Sequence, residues 1–158
     1  MSEHDFDLPP KATPDVMRRR TALAGKARDA LAWTGLPVYR EDSSEGESGV
    51  NVRVDPLADG GVLAEWNTRE EFTSEIVKIL ASGVDPSNLP QRVRHYENVQ
   101  TCMRETILNI LASAGFDVER ADAHSYGKAV HLGDLIADPL FRVPPELSGS
   151  APAEPGWR

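Results

Sequence analysis

Gly49-Val-Asn-Val-Arg-Val-Asp-Pro-Leu-Ala-Asp-Gly-Gly-Val-Leu-Ala-Glu-Trp-Asn-Thr68 is the stretch that decides the fold class. Val50, Val52 and Val54 alternate with Asn51, Arg53 and Asp55; beyond a turn at 56–61, Val62, Ala64 and Trp66 alternate with Leu63 and Glu65. A period of two on both arms describes a β-hairpin over about 50–66 with one buried and one wet face. A lone hairpin cannot bury its apolar face, so a second layer must cover it. Thr68 and Glu71 stand at capping-box spacing, and Phe72, Ile76, Ile79 and Leu80 follow as a one-sided apolar stripe. Together they predict a helix over 69–82, and Trp66 is expected in the core.

On the N-terminal side, Thr13-Pro14-Asp15 reads as N-cap, N1 proline and first-turn acid, which predicts a helix over 14–34. Its apolar positions (Val16, Leu23, Ala27, Ala30, Leu31) have helical spacing but are mostly small, so the stripe is thin. Gly35 ends the helix, and Pro37 to Arg40 reads as a short edge strand. On the C-terminal side, Val93, Tyr96, Val99, Met103, Ile107, Ile110, Leu111 and Ala114 keep one face apolar over 90–114, the expected spine of the core. Phe116 to Glu119 and Lys128 to Leu132 read as strands, and Asp134 to Ala137 as a helical turn before Pro139. The exits Leu31-Ala-Trp-Thr-Gly-Leu-Pro-Val38 and Leu111-Ala-Ser-Ala-Gly-Phe-Asp-Val118 echo each other through shared helix-stop residues.

The resulting order points to an α+β two-layer domain: a small, mainly antiparallel sheet with a central hairpin, covered by three helices over about 14–34, 69–82 and 90–114. The expected organisation is a disordered acidic tail over 1–12, one globular domain over 13–141 and a Pro-rich disordered tail over 142–158.

Bulk properties narrow the function classes. The chain has 158 residues and a net charge of −8, which argues against binding to phosphate backbones or anionic membranes and suits solubility first, or a basic protein partner. No apolar run reaches the length of a membrane span, and the first residues are acidic, unlike a signal peptide. A single cysteine, Cys102, fits a reducing cytoplasmic setting and is read as a buried, inert thiol beside the long apolar stripe. Thirteen Arg against four Lys suggests a high-GC bacterial source. No phosphate-loop, dinucleotide, nucleophile-elbow or zinc-finger pattern is present, so no cofactor is expected.

Three places bear candidate residues. Arg18-Arg19-Arg20 lies on the first helix, where cations oppose the positive end of the helix dipole, a local conflict that suggests a use in docking an acidic group. Trp33 lies off the stripe of that helix and reads as an exposed binding anchor. Asp122, His124, His131 and Asp134 gather imidazoles and carboxylates able to hold a divalent ion or act as acid and base, though at no standard ligand spacing. The first reading is a non-catalytic protein-interaction module (adaptor, regulator, immunity- or chaperone-like) or a homodimer, contacting through Arg18, Arg19, Arg20 and Trp33. The alternative is a small metal-dependent or acid–base enzyme using the His/Asp cluster. A third is weak nucleic-acid binding through the first helix, aided by Arg92 and Arg94.

Overall fold

The computed structural model describes residues 9–39, 48–121 and 129–135. The elements run α1 (Pro14–Trp33), β1 (Val38–Tyr39), β2 (Gly49–Val54), β3 (Val62–Asn67), α2 (Glu70–Ala81), α3 (Gln91–Ser113), β4 (Phe116–Arg120) and β5 (Val130–Leu135). The fold is the expected α+β two-layer domain. One five-stranded sheet, in the order β1-β2-β3-β5-β4, is antiparallel except for the parallel β1–β2 edge.

The hairpin alternation sets the register. Val50 faces Trp66, Val52 faces Ala64 and Val54 faces Val62. The same face continues onto β5, where Val62 faces Leu132 and Ala64 faces Val130. Against it lie Ala24, Ala27, Ala30 and Leu31 of α1, and Ile107, Leu111 and Ala114 at the C-terminal end of α3, in one core cluster. Trp66 is only partly buried, packed against that cluster. On the other face Leu63 is also buried, between its cross-strand partners Arg53 and His131.

The thin stripe of α1 is a packing solution. Alanine side chains let the helix axis approach the strands closely, so little apolar area per residue suffices to exclude water. Thr13 Oγ1 accepts the Val16 N–H at 3.4 Å, so the expected N-cap forms. At the other end Gly35 has φ +89°, a left-handed value that a side chain would strain. Gly49 is needed for a different reason. At φ +137°, a Cβ there would lie 2.5 Å from the Pro37 carbonyl oxygen, where β1 and β2 come together.

α3 is about 34 Å long at 1.5 Å per residue, against about 20 Å for a six-residue strand. Its C-terminal half lies on the sheet; its N-terminal half runs past the strand ends and packs α2. At its C-terminal end Glu105 accepts two hydrogen bonds from Arg120 of β4, at 2.7 and 2.8 Å. That hydrogen bonding holds the Glu105 carboxyl below its ordinary value, against a smaller opposing effect of desolvation.

Three sequence expectations need correction. The capping box does not form: Arg69 is the N-cap of α2 without a side-chain bond, and Thr68 Oγ1 accepts instead from Gln100 Nε2 at 2.6 Å. Here a tertiary partner outcompetes the local one. Asp134 and Leu135 continue β5 rather than opening a helical turn, because β4 offers that segment a pairing partner. Cys102 is exposed. It lies nine residues before Leu111, two and a half turns at 3.6 residues each, and so on the opposite side of α3.

Of the expected tails, residues 1–8 and 142–158 lie outside the described residues. Pro10 to Ala12 run beside the hairpin turn, with the Ala12 N–H on the Pro56 carbonyl and the Ala58 N–H on the Pro10 carbonyl.

Candidate functional site

The arginine block divides into three different environments. Arg18 pairs with Asp15 across one turn, and both side chains are largely exposed, a setting in which ion pairs contribute little. Arg20 turns toward the hairpin. Its Nη1 donates to the Asp55 and Leu57 carbonyls at 2.7 and 2.6 Å, and its Nη2 to the Ala58 carbonyl at 3.0 Å. Three backbone acceptors thus lash the turn to α1. Arg19, between them, makes no hydrogen bond or ion pair among the described residues. Arg28 repeats the Arg20 device, donating from Nη2 to the Val52 carbonyl at 2.7 Å.

His131 stands on β5 opposite Glu119 of β4, with Nδ1 3.5 Å from Glu119 Oε1. Its other ring nitrogen, Nε2, is crowded against Gly61: a Cβ there would lie 2.5 Å away. The chain therefore brings together residues from two separate sequence candidates. Arg19, Arg20 and His131 line one cleft of about 280 Å³ between the start of α1, the hairpin turn and β5. Asp122 and His124 lie outside the described residues, and Asp134 falls on β5. Among the described residues no three His, Cys, Asp or Glu side chains converge as a metal-holding group.

Trp33 closes α1 and is 58% exposed. Among the described residues the other large exposed hydrophobics are Val77 (58%) and Leu80 (45%), both on α2. α2 is held chiefly by α3. Phe72 meets the Tyr96 ring edge-on at 5.2 Å between centroids, Glu75 pairs with Arg92, and Thr73 Oγ1 lies 3.4 Å from the Tyr96 hydroxyl. Only Ile76 on this helix is buried. Where β3 passes into α2, Trp66, Asn67, Thr68, Glu70, Tyr96 and Gln100 line a polar, aromatic-walled hollow of about 380 Å³.

Sequence reasoning missed this outward placement of α2. Its strong stripe resembles that of a helix lying flat on a sheet, and nothing local reveals that α3 would be its principal support. Arg20 and Arg28 as turn and strand anchors were equally hidden, because their acceptors are backbone carbonyls remote in sequence.

The chain matches no protein-family model, no curated protein and no solved structure.

Proposed function

We propose that this chain is a non-catalytic protein-interaction module of the cytoplasm, docking a partner protein on the outer face of α2. The observation that carries this reading is the pair Val77 and Leu80, three residues apart on one helix face and turned to solvent. Adjacent apolar side chains on a helix rest against a groove or a second helix in the commonest modes of helix recognition. Glu70, exposed two turns before Val77 on the same side of α2, adds a negative charge at the edge of the pair, so the partner is expected to set a cation beside its apolar socket. The arginine block is the weaker place for the interface, since Arg20 is engaged within the chain and Arg18 is paired with Asp15. Trp33, at the end of α1, is a separate candidate anchor.

The test compares two double variants in capture from the native host, with sedimentation to detect self-association. Val77→Ser/Leu80→Ser is expected to lose the partner while keeping its thermal melt; Arg18→Glu/Arg19→Glu is expected to retain it. The opposite pattern would move the interface to α1, and retention by both variants would remove the α2 reading.

A further inference from the structure

We propose that the cleft between α1, the hairpin turn and β5 binds a phosphate group, free or as a small monoester. This is independent of the α2 interface. The ionisable residues lining the cleft are Arg19, Arg20 and His131; the two arginines carry fixed positive charge, and the His131 side chain lies with Leu63 on the sheet face away from α1. Arg20 is the fixed element. Its acceptors are the three carbonyls of the turn, which orient the guanidinium without cancelling its charge, and it makes no ion pair among the described residues. Arg19 is the uncommitted element, a planar fork of donors suited to phosphate oxygens. His131 has Glu119 Oε1 3.5 Å from its Nδ1, and its Nε2 is directed toward Gly61.

The glycines at the cleft are there for room rather than for backbone angle. Gly60, Gly61 and Gly133 all lack a positive φ, so their backbones would accept a side chain. Yet a Cβ at Gly60 would lie 2.5 Å from Asp55 Cγ, one at Gly61 2.5 Å from His131 Nε2, and one at Gly133 2.9 Å from Asp117 Oδ2. A side chain at Gly61 would displace the imidazole directly. Three carboxylates stand near the cleft without being among its lining residues. Asp55 Oδ1 accepts the Leu57 N–H at 3.0 Å, Glu119 stands by His131, and Asp117 lies against Gly133 outside the lining. Val16, Leu23 and Leu132 add apolar wall to the cleft, in which Arg20 is half-buried and Arg19 is exposed. At about 280 Å³ the cleft is just under the usual range for small-molecule sites, about 300–1,000 Å³, a size for a compact anion rather than a cofactor.

The test is an amide and arginine side-chain NMR titration of the full chain with inorganic phosphate, against acetate at matched ionic strength. Phosphate is expected to give saturable shifts confined to Arg19, Arg20, Gly60, Gly61 and His131. Arg19→Gln should weaken binding about tenfold, as loss of one charge-assisted hydrogen bond implies. Arg18→Gln, which leaves the cleft intact, should bind as the parent does. Gly61→Ala, with an unchanged melt, should also weaken binding by moving His131. Shifts that acetate reproduces, shifts that follow ionic strength without saturating, or equal affinity in Arg19→Gln and the parent would each overturn the assignment. Glucose 6-phosphate as a second probe separates the sources: tighter binding than inorganic phosphate identifies a monoester ligand, and weaker binding identifies the free ion.

Discussion

α1 and α2 reverse what their sequences advertise. α1 has the poorer apolar stripe, yet Ala24, Ala27 and Leu31 are completely buried on the sheet. α2 has the bolder stripe, yet buries only Ile76 and leaves Val77 and Leu80 in water. The difference lies in what each helix meets. Small side chains allow α1 to settle close to a flat sheet, where each methyl group is surrounded on all sides. α2 meets chiefly another helix, a convex surface that covers only part of a wide stripe. Stripe strength therefore measures how much apolar area a helix offers, and the neighbouring element decides how much of it is covered. The uncovered remainder on α2 is the ground on which that helix is proposed as the docking surface.

The largest expected effect separates the two helices by truncation. Leu31→Ala, which empties a fully enclosed site between α1 and the sheet, should cost about 2–5 kcal/mol of unfolding free energy in urea titration. Ile76→Ala, beneath a helix with one principal neighbour, should cost clearly less. Equal losses would mean that α2 is as integral to the core as α1, and the comparison would break.

Enlargement should give a smaller contrast. Ala27→Leu forces extra volume between α1 and the strands and is expected to destabilise by about 1–3 kcal/mol. Ser74→Leu, on the exposed side of α2, should stay within about 0.5 kcal/mol of the parent, as surface changes usually do. A tolerated Ala27→Leu would show that α1 does not depend on close approach to the sheet.

Much of the fold was legible because it is written locally. The hairpin register follows from alternation at Val50, Val52, Val54, Val62 and Ala64, and the helix limits follow from Thr13-Pro14, Gly35, Gly83 and Gly115. Pairing of β5 between β3 and β4 was not legible, since a short apolar run does not name its neighbours. The exposure of Cys102 could have been read by counting turns back from Leu111. The loss of the Thr68 cap could not, because it depends on Gln100 arriving from α3. The candidate cleft belongs to the same class. Arg19 and Arg20 were visible as a charge block and His131 as part of a polar cluster, but only the packing of α1 across the hairpin turn places them together.

The most direct measurement of the central claim is native-state hydrogen exchange resolved by residue. Amides of α1 from Ala24 to Leu31 should exchange only through global unfolding, with opening free energies that track the denaturant dependence of the whole domain. Amides of α2 from Thr73 to Leu80 should exchange through a cheaper local opening, insensitive to low denaturant, because that helix has one principal support. Protection of α2 equal to that of α1, with the same denaturant slope, would contradict the account.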